Sequence, residues 1–251
     1  MTIVDVTKIK TIEELERVAQ EHFVGKTLRE IAEKIVESDG VDRVKSKSDV
    51  GNLIEEYFGI PRNSTAGADV EHLGVEIKSG SLKPLVSGEI NVKEPISLSI
   101  INYNEVYRHR NIKDSSLYQK NKKILYIWYI HEKGKPRSEY LIKYVFIWEM
   151  TDAVLSDLNE DYQKLLDYIE NGEAHNIHQH QHEFLTLCPK HNGDFSDPDE
   201  MTSKTSQPFS NEKAEVRGFR LKRAYMDRVV YEYLKIESPE KLGEFKKPAG
   251  Y

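Results

Sequence analysis

Apolar residues recur at helical spacing along residues 11–38, at Leu15, Val18, Ala19 and Phe23 and then at Leu28, Ile31 and Ile35. Gly25-Lys26 interrupts the stripe and predicts two helices rather than one. Residues 39–48 are polar and turn-like. From Asp49, expected as the N-cap, Val50, Leu53, Ile54, Tyr57 and Phe58 stand at i, i+3, i+4, i+7 and i+8, a helix ending at Gly59 with Pro61 blocking continuation. Residues 62–68 (RNSTAGA) read as a loop. The pattern then changes to strand-like. Gly74–Lys78 alternates apolar and charged residues, and Ile96–Asn102, Ile124–His131 and Tyr140–Glu149 are β-rich. Gly134-Lys135-Pro136 joins the last two as a hairpin. Residues 152–171 look helical, 193–211 are loop-rich and polar, and Arg217–Leu234 reads as a short strand leading into a final helix. The fold class is mixed α/β, with an interior sheet and mostly antiparallel hairpins. There is no internal repeat.

The 251 residues are 38% hydrophobic, enough for a sizeable core in one large domain or two small ones, one being favoured. No run of 18 apolar residues is present, and the first residues show no apolar signal region. The single cysteine, Cys188, has no internal disulfide partner, so a reducing cytoplasm is the expected location. A formal net charge of −6 argues mildly against nucleic acid, but local field matters more than the total. Lys213–Arg228 carries six basic residues against Glu215 and Asp227, so one face of an acidic chain can still be basic.

The candidate chemistry lies in Asp69-Val-Glu-His-Leu-Gly-Val-Glu76-Ile-Lys78. On a strand, Glu76 and Lys78 share one face while Val75 and Ile77 face a core. The turn-prone His72-Leu73-Gly74 can fold Asp69 back onto Glu76. Two carboxylates and a lysine are what metal-assisted phosphodiester hydrolysis requires: oxygen ligands for Mg²⁺ and a cation to orient water or offset charge on the phosphoryl oxygens. Taken alone the pattern is weak, and a solvated strand face explains it as well. In the preceding helix Glu55 and Glu56 both flank the apolar stripe, and periodicity does not choose between them.

The longer segments are more specific. GNLIEEYFG followed by ADVEHLGVEIKSG resembles the catalytic segment of the MutH/Sau3AI family of DNA endonucleases, in which a helix acid four residues before a glycine precedes Asp, six residues, then Glu-x-Lys. That spacing selects Glu55. LSIINYNEVYRHRNIKDSSLYQKN is similar to the stretch carrying the family's additional lysine, here Lys120. HEFLTLCPKHN and RGFRLKRAYM resemble its DNA-entering segments, and the likeness runs roughly from residue 20 to 235. Cys188 stands where the mismatch-repair member has arginine, and Arg220 where it has tyrosine.

The resemblance implies an EcoRI-like restriction-endonuclease fold: a central mixed five-stranded sheet flanked by helices, with a DNA cleft between two subdomains. It implies one endonuclease domain over 1–251, catalytic over about 45–130 and DNA-recognising over about 175–235. Catalytic residues would be Glu55, Asp69, Glu76, Lys78 and Lys120, with Asp69, Glu76 and Glu55 on Mg²⁺, for which Mn²⁺ can substitute. Pro189, Lys190, Arg217, Arg220 and Lys222 would contact DNA. The expected activity is that of a type II restriction endonuclease cutting duplex DNA at a short palindrome, GATC or related, leaving 5′-phosphate ends. A homodimer on the palindrome and a cognate DNA methyltransferase would be its partners. The rivals are a methyl-directed nicking enzyme of mismatch repair, with the same catalytic set, and a catalytically silent DNA-binding module. His175, His178, His180 and His182 read as a polar helix end and loop rather than a zinc site. The aromatics of 126–129 and 144–148 read as buried strand residues rather than base-stacking platforms.

Overall fold

The computed structural model describes residues 3–35, 44–61, 67–85, 90–178, 182–190 and 203–237. The chain divides into two compact units: Met1–Glu94, Lys120–Glu149 and Asp227–Tyr251 form the first, Pro95–Gln119 and Met150–Met226 the second. The stretch expected to be catalytic, 45–130, is therefore shared, since 95–119 belongs to the second unit.

In the first unit the helical stripe resolves into α1 (Ile12–Phe23) and α2 (Leu28–Ile35). Thr11 caps α1 by accepting from the Glu14 amide at 3.1 Å. Gly25, at φ +78, turns the chain between them, a conformation that suits glycine because a Cβ would clash. The third helix, α3 (Lys47–Tyr57), starts three residues earlier than its pattern suggested. Ser46 is the N-cap, and Asp49 is its reciprocal capping-box partner rather than the cap. Phe58 is the C-cap, and Gly59 beyond it takes φ +68.

These helices cover a four-stranded sheet of order β2-β1-β4-β5, built from β1 (Glu76–Pro84), β2 (Ile90–Val92), β4 (Lys123–Ile130) and β5 (Ile142–Glu149). The resemblance implies five strands, and among the described residues this sheet has four. It is mixed: β1 runs parallel to β4, and the β1–β2 and β4–β5 pairs are antiparallel. Ile77, Leu125, Ile127, Tyr129, Ile142 and Val145 pack into one core with Leu15, Phe23, Leu28, Ile31, Leu53 and Tyr57. Each such fully buried side chain contributes about 1.5–3 kcal/mol. The opposite face carries Glu76 and Lys78 in register with Ile124 and Tyr126. Trp128 and Phe146 follow on that face, and Tyr233 of α7 (Arg223–Glu237) stacks on Phe146.

The second unit holds a three-stranded antiparallel sheet of order β3-β9-β6, from β3 (Ile96–Ile100), β6 (Leu185–Pro189) and β9 (Arg217–Leu221), and a short ribbon of β7 (Lys204–Thr205) with β8 (Ala214–Glu215). The long helix α6 (Asp152–Glu170) buries Leu155, Leu158, Tyr162, Leu165, Leu166 and Ile169 along one stripe. Two short helices, α4 (Tyr103–Arg108) and α5 (Ser116–Asn121), precede β4 in the chain. No helix among the described residues is long and apolar enough to cross a membrane.

Candidate active site

A six-residue turn builds the centre. Val70 and Val75 form an isolated antiparallel bridge, with the Val70 amide donating to the Val75 carbonyl at 2.9 Å. Gly74, at φ +63, closes the turn by donating to the Glu71 carbonyl at 3.0 Å. The reversal sets Asp69 beside the start of β1, where its Oδ2 accepts from the Ile77 amide at 2.9 Å. The sequence expectation that His72-Leu73-Gly74 folds Asp69 back toward Glu76 describes this geometry.

Glu76 is not on a solvated face. It is 4% exposed, which removes the bland reading of the motif. The Lys78 ammonium donates to its Oε1 at 2.8 Å, and the Lys120 ammonium lies 3.6 Å from its Oε2. Lys120 reaches the centre from the last turn of α5 and also donates to the Gly67 carbonyl at 3.2 Å. Burial pushes the Glu76 carboxyl up from its ordinary value. The Lys78 charge pulls it down, the Asp69 charge raises it, and Lys120 lowers it. Its Oε2 is buried and, among the described residues, accepts no hydrogen bond, the Lys120 ammonium standing beyond hydrogen-bond reach. A buried carboxylate oxygen without a hydrogen bond is costly, and a metal ion would complete its shell.

Asp69, Glu76, Lys78 and Lys120 are thus brought together. Glu55 lies half-buried on α3, a helix packed against β1. Among the described residues no cluster of three or more His, Cys, Asp or Glu side chains is placed to hold a metal ion. The donor set whose geometry is fixed is Asp69 and Glu76, with a Glu76 oxygen that accepts no hydrogen bond among the described residues. It fits Mg²⁺, which keeps several waters and takes one or two carboxylates plus substrate phosphate.

The expected DNA-contacting residues lie in the second unit, around β9. Pro189 ends β6 opposite Arg217, and Lys190 follows, its amide donating to the Val216 carbonyl at 2.8 Å. The Lys190 side chain lies across Gly218, where an added Cβ would stand 2.8 Å from its Cε. Arg217 turns inward. It is 6% exposed, donates to the Leu187 carbonyl at 2.7 Å and pairs with the Glu215 carboxylate. Strand alternation puts Arg217 with Phe219 and Leu221 on one face of β9, and Arg220 with Gly218 on the other. Arg220 is half-buried, and its Nε has no hydrogen-bond partner among the described residues. The Lys222 ammonium donates to the His182 carbonyl. The basic run is thus ribbon, strand and helix start, not one helix face.

One residue of this region escaped the sequence reading. Asp161 of α6 is buried, and its carboxylate accepts from three successive amides, Glu183 at 2.8 Å, Phe184 at 2.6 Å and Leu185 at 2.9 Å. It fixes the entry into β6. The available signal was an acid inside the stripe that Leu158, Tyr162 and Leu165 define. The histidine run is divided: His175 pairs with Glu212 at 3.2 Å, His182 is buried, and His180 lies outside the described residues. The aromatics of β4 and β5 are buried, as expected.

The family model described as "DNA mismatch repair enzyme MutH" matches residues 58–161, which include Asp69, Glu76, Lys78 and Lys120. The type II restriction enzyme Sau3AI of Staphylococcus aureus is 31% identical over 207 residues, 81% of this chain and 41% of that protein. The chain therefore spans about two fifths of Sau3AI's length. The DNA mismatch repair protein MutH of Actinobacillus pleuropneumoniae serotype 5b is 26% identical over 216 residues, covering 85% of this chain and 90% of that protein. MutH of Vibrio cholerae serotype O1 is 26% identical over 174 residues, 68% of this chain and 75% of that protein. With the carboxylates and lysines at the family's spacing, these matches show that the chain belongs to the MutH/Sau3AI family.

Proposed function

We propose that this chain is a Mg²⁺-dependent DNA endonuclease, cutting duplex DNA at a short palindromic site, GATC or related, in the manner of a type II restriction enzyme. The observation that carries the reading is Glu76: a buried carboxylate with one oxygen that accepts no hydrogen bond among the described residues, flanked by Asp69 and by two lysines. Buried polar groups in native proteins are rarely left without a hydrogen bond, and a catalytic or ion-binding role is one reason for the exception.

Asp69 and Glu76 hold Mg²⁺, which when bound polarises the scissile phosphoryl group and offsets its charge. The chain's own groups supply the rest. Asp69 keeps its orientation through the Ile77 amide, which donates to Oδ2. Lys78, on the same face as Glu76, orients the attacking water. Lys120 sits toward the phosphate oxygens and stabilises the negative charge that grows there in the transition state. Glu55, on the helix packed against β1, supports a second metal or the water network. Lys190, Arg220 and Lys222 contact DNA from the β6–β9 region, and Arg217 holds that region in shape. Cleavage leaves 5′-phosphate ends. A homodimer matches a two-fold site, and a methyltransferase protects the host's own copies of it.

A second reading has one observation in its favour: the family model that matches residues 58–161 is described as a DNA mismatch repair enzyme. Strand nicking in mismatch repair would use the same carboxylates and lysines. Supercoiled plasmid separates the two. Linear product with one recurrent site supports the restriction reading. Open circles that never linearise support nicking, and no Mg²⁺-dependent cut on methylated or unmethylated plasmid overturns both.

A further inference from the structure

Residues 120–123 carry three lysines, and they are not equivalent. Lys120 lies on Glu76 at 3.6 Å, and Lys123 pairs with Glu149 at 3.6 Å. Lys122 is half-buried, and among the described residues no carboxylate pairs with it. Half-burying an ammonium without a counter-ion is unfavourable, and a phosphate is the ligand that relieves it.

Its place is set by the sheet. β1 and β4 run parallel with Glu76 opposite Ile124 and Lys78 opposite Tyr126. Lys122 lies one residue before β4 and Gly74 two residues before β1, so the paired strand starts bring the two together. The contacts agree: a Cβ added to Gly74 would stand 3.1 Å from Lys122 Cε and 3.6 Å from its Nζ. The glycine that closes the Asp69–Glu76 turn is therefore also what leaves room for this lysine. Two residues along a strand is about 7 Å, and duplex DNA advances about 3.4 Å per nucleotide on one strand. Gly74, with Lys122 beside it, thus stands about two nucleotides of rise from Glu76.

We propose that Lys122 is a substrate-binding residue that holds a DNA phosphate flanking the scissile one, from beside the glycine that closes the Asp69–Glu76 turn. Lys78 and Lys120 are engaged by Glu76, so they act at the scissile phosphate, while Lys122 fixes the register of the strand being cut. This assignment rests on the endonuclease reading above.

The test is the salt dependence of binding to a duplex carrying the cleavage site, in EDTA so that no cutting occurs. The variants are Lys122→Ala, Lys122→Arg and, as a control on the neighbouring paired lysine, Lys123→Ala, each checked for an unchanged melting profile. A phosphate contact contributes about 0.9 to the slope of log K against log salt. Lys122→Ala should lose about that much, Lys122→Arg should keep it, and Lys123→Ala should match the parent. A Lys122→Ala slope equal to the parent's, or a loss shared equally by Lys123→Ala, overturns the assignment while leaving the endonuclease reading intact. A parent chain with no salt-dependent affinity for duplex overturns both, and the plasmid assay then tells whether any cutting remains.

Discussion

Gly80 lies two residues beyond Lys78 on the same face of β1, directly opposite Trp128 of β4. A Cβ at this position would stand 2.2 Å from Trp128 Cζ3, 2.5 Å from Cε3 and 2.8 Å from Cη2. Ordinary contact begins near 3.4 Å, so the ring or the strand must yield by about 1.2 Å (3.4 − 2.2). Trp128 is fully buried and its ring is tilted against Tyr126, so the indole has no solvent to move into. Overpacking of this kind costs about 1–3 kcal/mol. For a chain of this size each 1 kcal/mol lowers Tm by roughly 2–4 °C. Gly80→Ala should therefore lower the melting temperature by several degrees. If β1 rather than the ring shifts, Lys78 moves with it, and misplacement near 1 Å costs about 10²-fold in rate. Thermal unfolding and the initial rate of plasmid cleavage read the two consequences. Trp128→Leu frees the space, so the double variant Gly80→Ala/Trp128→Leu should be more stable than the sum of the singles by about 0.5–3 kcal/mol. An unaltered melt for Gly80→Ala, or strict additivity of the two changes, would show that the close approach of Gly80 and Trp128 is not what shapes this strand.

Three further outcomes follow from the second unit. Asp161→Ala leaves the amides of Glu183, Phe184 and Leu185 without their acceptor; at about 1–3 kcal/mol for each buried group left unpaired, limited proteolysis should open the β6 entry first, and protection equal to the parent's would contradict the clamp. Arg217→Ala should lower thermal stability by about 1.5–3 kcal/mol, because the guanidinium bonds the Leu187 carbonyl; a variant that loses only DNA affinity and melts like the parent would put Arg217 on the DNA instead. His182 is buried with neither ring nitrogen hydrogen-bonded among the described residues, and burial lowers its pKa, with Asp161 opposing and Lys164, Lys222 and Arg217 adding. With the folded value below the unfolded one, only the unfolded chain takes up the proton as pH falls from about 6.5, so stability drops in that window; His182→Gln should flatten the urea midpoint between pH 7 and 5.5, and an unchanged slope would remove His182 as its cause.

The sequence was most informative where one periodicity ran unbroken. The stripes of α1, α2 and α6 and the β-rich runs of β4 and β5 locate those elements to within about two residues. β1 was foreseen only through Lys78, yet it continues to Pro84. Ser79, Gly80 and Ser81 carry no strand pattern because Trp128 of the neighbouring strand fills the space above Gly80, a tertiary fact. The parallel pairing of β1 with β4 was likewise invisible, since the two strands are far apart in sequence. Of the candidate site, Asp69, Glu76 and Lys78 follow from alternation and one turn. Lys120 came only from the family likeness, because nothing local marks the end of α5 as facing Glu76. Arg217 illustrates the opposite limit: an arginine in a basic run reads as a surface residue, and only the Leu187 carbonyl and Glu215 show why it is inside.

If the chemistry occurs at Glu76 with Asp69, removing the Glu76 carboxylate must abolish cutting. The most direct measurement is cleavage of supercoiled plasmid with Mg²⁺ by the parent chain and by Glu76→Ala, both folded by the same melting criterion, with the ends mapped by sequencing. Mg²⁺-dependent cutting at one recurrent short site by the parent, and none by Glu76→Ala, is the expected result. Cutting by Glu76→Ala at the parent's rate would place the chemistry elsewhere.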